Sequence, residues 1–232
     1  MRVIGLIGGL SWESTVPYYC HINQAVRARL GGLHSATLIL YSVDFQPIER
    51  QMQAGDWPAA GQALAAAARA LEAAGADGLL LCTNTLHKVA PAIEAAVRIP
   101  LLHIVDVTAA EILEAGLRTI GLLGTRFTME QRFYRERLEV RHGISVLTPG
   151  PDDQEIAHRI IFDELCVGRV LDASRQQYRR IMAALVARGA QAIVLGCTEL
   201  ALLIAAQDAS VPLFDTTAIH ARAAAAWSLS AA

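Results

Sequence analysis

The sequence predicts an α/β protein made of two pseudo-symmetric, Rossmann-like α/β domains with parallel sheets. Two observations carry this. Short apolar runs alternate with helix-forming stretches along the chain, and one order of landmarks occurs twice. Apolar runs that end in glycine read as buried strands entering tight turns, and strands separated by helices imply parallel sheets with helices on their faces.

The first landmark, Val3 to Gly9 (VIGLIGG), is matched by Thr119 to Thr125 (TIGLLGT). The second, Ala73 to Thr83 (AAGADGLLLCT), joins a helix end to a buried strand and is matched by Ala187 to Thr198 (ARGAQAIVLGCT). The third pair, Ile99 to His103 and Val211 to Asp215, follows each cysteine-bearing strand and contains a proline. Between them, Ala59 to Ala74 and Arg175 to Arg188 hold alanine, leucine and arginine in helix-favouring proportion. The expected division is a first domain of residues 1–103 plus 211–232 and a second of residues 104–210. On that division the segment after Pro212 supplies a strand and a helix to the first half.

A hydrophobic share of 53% beside 18% charged residues is that of a folded domain. A formal net charge of −2 offers no basic face to nucleic acid. The first strand-like run begins right after Met1, leaving no room for a signal peptide, and no apolar stretch reaches the roughly 20 residues of a membrane helix. The expectation is a cytoplasmic protein with small-molecule partners, no membrane or nucleic-acid partner, and four cysteines held as free thiols.

Ligands of parallel sheets bind at the carboxyl ends of the strands. Cys82 and Cys197 both stand there, followed by Thr83-Asn84-Thr85 and by Thr198-Glu199. A single such cysteine is equally well a small buried hydrophobe, but a symmetric pair points to chemistry. No Cys-x-x-Cys or zinc-like spacing occurs, so no metal is expected. Cys20 and Cys166 lie in helix-like segments and read as packing residues. The loops Gly8 to Ser11 and Gly124 to Thr128 precede helices and match neither a dinucleotide nor a phosphate-loop pattern. Ser11, Thr125 and Thr128 can donate to a bound acid, and Thr128 with Gln131 also fits a capping box. His87 and His103 are polar residues in apolar surroundings, more often structural than catalytic. The run Arg132 to Arg141 reads as a solvated helix face.

In these residues the chain resembles the aspartate/glutamate racemase family, within the aspartate, glutamate and hydantoin racemase superfamily. The resemblance spans nearly the whole length. It is carried by Gly8-Gly9-Leu10-Ser11, Cys82-Thr83-Asn84-Thr85 and Gly196-Cys197-Thr198-Glu199, with the doubled architecture around them.

The resemblance implies an active site in the cleft between the domains, no cofactor, a homodimer, an amino acid as substrate, and Cys82 and Cys197 as acid and base at the α-carbon. By the same match Leu10, Ser11, Asn84, Thr85, Thr125, Thr198 and Glu199 line the pocket, and Gln51, Thr83 and Thr128 beside them are expected to bind substrate as well. Lys88 is the only lysine and so the only residue able to form a Schiff base with pyridoxal phosphate. Where some aspartate racemases place an arginine and a lysine for the substrate's carboxylates, this chain has Glu49, beside Arg50 and Gln51, and Cys166, so a different or broader side-chain preference is expected.

Inversion by proton transfer is most directly done by a base on one face of the carbon and an acid on the other. A free thiol titrates near about 8.5, and a helix N-terminus can lower it, so one cysteine as thiolate and the other as thiol would meet the demand. Other reactions on the same scaffold (hydantoin racemisation, maleate isomerisation, decarboxylation) and a binding protein that has lost turnover remain the alternatives.

Overall fold

The computed structural model describes residues 1–230, which form two compact units. The first comprises Met1–Ile104 and the chain from His220 onward; the second is Val105–Ile219.

In the first unit β1 (Ile4–Gly8), β2 (Leu38–Ser42), β3 (Gly78–Leu81) and β4 (Leu101–Leu102) form a parallel sheet in the order β2-β1-β3-β4. Every residue of β1 and β3 is buried, as expected for central strands of a parallel sheet covered on both faces. The helix Trp12–Leu30 turns Tyr18, Ile22 and Val26 inward at helical spacing, onto Ile4, Leu6 and Leu80 and onto Ala221, Ala224 and Ala225 of the last helix.

The second unit repeats the plan with β5 (Thr119–Gly124), β6 (Ser145–Leu147), β7 (Ala192–Gly196) and β8 (Leu213–Asp215), parallel and in the order β6-β5-β7-β8. Its core packs Leu123, Ile193 and Leu195 against Ile160, Tyr178, Ile181 and Leu185 of the helices Pro151–Asp163 and Asp172–Ala187. The two matched halves are therefore real structural units. The strands β2 and β6, absent from the matched landmarks, complete the edge of each sheet.

The return crossing differs from the sequence expectation. The strand at Leu213–Asp215 does not join the first half: it pairs with β7, Leu195 opposite Asp215. The chain re-enters the first unit only at His220, within the helix Thr216–Leu229. A strand inserts where it finds an open ladder edge, and β7 presents that edge as β3 does to β4. No helix among the described residues is long and apolar enough to cross a membrane.

Candidate active site

In the first unit the carboxyl ends of β1 and β3 carry the expected residues side by side. The loop after β1 turns at Gly9, whose φ of 84° suits glycine, and its N–H donates to Thr15 Oγ1 at 2.9 Å. Ser14 and Thr15 both donate to the Ser11 carbonyl, at 2.9 and 3.0 Å. Leu10 and Ser11 are buried, and Ser11 precedes the helix Trp12–Leu30 without capping it through its side chain.

Next to this loop, the Cys82 N–H donates to the Ile7 carbonyl at 2.9 Å, extending the β1–β3 ladder by one bond. Cys82 is fully buried, and Thr83, Asn84 and Thr85 after it are buried as well. Gln51 lies on the helix Phe45–Ala54 with a buried side-chain oxygen that has no hydrogen-bond partner among the described residues.

Histidines brace the Cys82 loop. His87 shares a 2.7 Å hydrogen bond with the Thr83 carbonyl through Nδ1, and its Nε2 accepts the Ile104 N–H at 3.3 Å. A backbone N–H can only donate, so Nε2 carries the lone pair and Nδ1 the proton that goes to Thr83. His220 accepts from the Tyr18 hydroxyl (2.9 Å) and donates to the Leu102 carbonyl (2.8 Å), and burial pushes its pKa down to about 4. His103 stacks at a tilt on His87, with ring centroids 4.5 Å apart. His87 thus holds backbone rather than standing as an independent acid or base.

In the second unit β7 delivers Cys197, which is 7% exposed. Its thiol donates to Glu199 Oε2 at 3.0 Å, and the Thr198 hydroxyl donates to the same oxygen at 2.8 Å. Cys166 Sγ lies 3.6 Å from Glu199 Oε1, so one buried carboxylate takes two thiols and a hydroxyl. Beside it, Thr125 caps the helix Arg126–Glu130 by accepting the Thr128 N–H at 3.3 Å, and both threonines are buried. Gly124 permits this closeness: a Cβ there would lie 2.7 Å from the Gly196 carbonyl oxygen.

Several expectations require correction. The cap is Thr125 with Thr128, not Thr128 with Gln131, because Gln131 ends the helix and gives its N–H to Phe127. Cys20 is exposed rather than packed, and Cys166 is half-buried with a carboxylate partner. In the basic run, Arg137 is no solvated face residue. It binds Asp106 through two hydrogen bonds of 2.7 and 2.6 Å, and His142 holds the same carboxylate at 2.8 Å.

Neither thiol is eased toward thiolate. Burial pushes Cys82 far up, and burial together with the Glu199 carboxylate and Cys166 pushes Cys197 well up. Desolvation outweighs any effect of the short helical segments that follow each cysteine. Lys88 places its Nζ 3.9 Å above the Trp57 ring, and burial lowers its pKa. Among the described residues no cluster of three or more His, Cys, Asp or Glu side chains is arranged to hold a metal ion.

Residues 7–224 match the family model described as Asp/Glu/Hydantoin racemase. The chain belongs to that family. As an Asp/Glu/hydantoin racemase it is similar to a solved structure from Yersinia pestis assigned to the Asp/Glu racemases, at 59% identity and a TM-score of 0.92 over 99% of this chain and 100% of that one. An aspartate racemase homologue from Pyrococcus horikoshii OT3 superposes with a TM-score of 0.85 at 35% identity, over 99% and 100% of the two chains. The broad specificity amino-acid racemase RacX of Bacillus subtilis (strain 168) is 23% identical over 95% of each chain. Two buried thiols, Cys82 and Cys197, stand at equivalent strand ends, each with threonine next to it. Two side chains that no sequence motif singles out, Glu13 and Thr217, each hold a buried oxygen without a hydrogen-bond partner among the described residues, and Thr216-Thr217 follows a strand just as Thr83 and Thr198 do.

Proposed function

We propose that this racemase inverts the α-carbon of an acidic or otherwise polar amino acid, with Cys82 and Cys197 serving opposite faces of that carbon. The observation that carries the reading is the Cys197–Glu199 hydrogen bond. A buried thiol is a poor base at neutral pH, and here it is already aimed, at 3.0 Å, at a carboxylate able to receive its proton. When the substrate's ammonium enters, its positive charge favours a thiolate nearby. Cys197 then passes its proton to Glu199 and takes the α-proton, while Cys82, protonated, delivers a proton from the other face. The reverse direction exchanges the two roles.

Acid–base action supplies about 10²–10⁴ in rate, so donors that hold the carboxylate as charge develops on it must supply much of the rest. We assign that role to the segments of Ser11, Thr83, Asn84 and Thr85 in the first unit and of Thr125, Thr128 and Thr198 in the second, with Leu10, Gln51 and Glu199 completing the substrate contacts. Pyridoxal phosphate has no part in this scheme, and the one lysine is engaged with Trp57.

The reading extends to a cytoplasmic homodimer. Support for a reducing compartment comes from four free cysteines. Support for self-association comes from Trp12, Val16 and Tyr19, one stripe of the helix Trp12–Leu30, which are 65%, 52% and 55% exposed.

The test is incubation with single enantiomers of each common amino acid in deuterated water, without added cofactor, followed by chiral chromatography and mass spectrometry. The reading expects at least one amino acid to gain α-deuterium and yield its mirror form. A requirement for added pyridoxal phosphate, or labelling with no inversion of any substrate, would contradict it.

A further inference from the structure

The carboxyl end of β8 holds a side chain that neither the fold nor the thiol chemistry accounts for. The helix Thr216–Leu229 starts directly after Asp215, whose carboxylate accepts the Thr217 N–H at 2.9 Å and the Ala218 N–H at 3.3 Å. Thr216 donates its hydroxyl to the Leu195 carbonyl at 2.7 Å, fastening the helix start to β7. Thr217 is 1% exposed, and its hydroxyl has no hydrogen-bond partner among the described residues.

Within a helix, a threonine hydroxyl ordinarily back-bonds to the carbonyl three or four residues earlier. For Thr217 those carbonyls belong to Phe214 and Leu213, in β8, so no helical carbonyl stands behind it. Leaving a buried hydroxyl unpaired costs stability, and such groups mark strain, chemistry or a partner that arrives from outside. The hydroxyl is shielded from solvent, so its partner is a group brought to it on binding rather than bulk water.

Its position says which group. The β7–β8 register pairs Leu195 with Asp215, and Cys197 and Thr217 each stand two residues beyond that pair, at the same carboxyl end of the sheet. We infer that Thr217 is a substrate-binding residue whose hydroxyl donates to the α-carboxylate of the amino acid that Cys197 deprotonates. The inference rests on the racemase reading above. As the α-proton leaves, negative charge flows into that carboxylate, so a buried donor gains more in the transition state than in the ground state. Removing it lowers kcat more than it raises KM.

A binding role and a structural role predict opposite outcomes for one substitution. Valine has threonine's shape without the hydroxyl. If the group is unpaired in the fold, Thr217→Val leaves stability equal or higher; if a hidden structural partner exists, stability falls.

The test uses the full-length protein, wild type beside Thr217→Val and Thr217→Ser, with the amino acid the wild type turns over fastest. Thr217→Val is expected to lose about 10–100-fold in kcat with little change in KM and a Tm no lower than wild type. Thr217→Ser restores the donor and returns most of the rate. Turnover by Thr217→Val within about twofold of wild type, or a lowered Tm with activity lost only in proportion to unfolded protein, overturns the inference while the racemase reading stands. Wild-type protein that racemises no amino acid overturns both, a result distinguishable because no variant is needed to see it.

Discussion

His220 should make the folded protein sensitive to mild acid, by an amount the structure sets. Its imidazole is fully buried, accepts from Tyr18 and donates to the Leu102 carbonyl, and burial holds its pKa at about 4. In the unfolded chain a histidine titrates near about 6.5. Between those values the unfolded state binds the extra proton, so stability is present in full above the unfolded value and drains away as pH falls toward about 4.

That lowering corresponds to about 3 kcal/mol in full, of which about 2 kcal/mol is already lost at about pH 5. Urea unfolding at about pH 7 and about pH 5 reads this, with His220→Gln as control, since the amide can still donate to Leu102 and does not titrate. The wild type should lose about 2 kcal/mol more than the variant over that interval. Equal losses, or an imidazole resonance from His220 titrating near its ordinary value, would refute the reasoning.

Three further outcomes follow from the site. Glu199→Gln removes the acceptor of the Cys197 proton and should cut racemisation about 10²-fold, equally in both directions because the equilibrium constant of racemisation is one; steady-state kinetics from each enantiomer checks both points. Cys166→Ala removes a thiol from the edge of the Glu199 cluster, and turnover should stay within about an order of magnitude while KM shifts, in contrast to the loss that the proposed mechanism expects for replacing Cys82 or Cys197. Gly124→Ala would set a Cβ 2.7 Å from the Gly196 carbonyl oxygen and 3.1 Å from Thr128 Cβ. Backbone cannot step aside as a side-chain tip can, so a destabilisation of about 1–3 kcal/mol is expected by thermal melting.

The doubled α/β plan was legible because glycine-terminated apolar runs occur twice in one order, and buried parallel strands need little else to announce themselves. Cys82 and Cys197 were legible as strand-end residues followed by threonine. Periodicity could not say which sheet Leu213–Asp215 joins, since that depends on which ladder edge lies open in space. Nor could it show that Cys166, distant in sequence, would meet Glu199, or that burial would drive both thiols up rather than down. Thr217 escaped because Thr216 and Thr217 look alike on paper. One hydroxyl is used to fasten β7 and the other is not, a difference that exists only in three dimensions.

The measurement that reaches the central claim is α-proton exchange in deuterated water by Cys82→Ser and Cys197→Ser, each given the two enantiomers of the best substrate separately. Serine is a far poorer base than a thiol near neutral pH, so neither variant should interconvert the enantiomers. The surviving thiol should still exchange the α-proton of one enantiomer, a different one in each variant. Racemisation by either variant at close to the wild-type rate, or exchange of the same enantiomer by both, would contradict a mechanism in which two thiols serve opposite faces of one carbon.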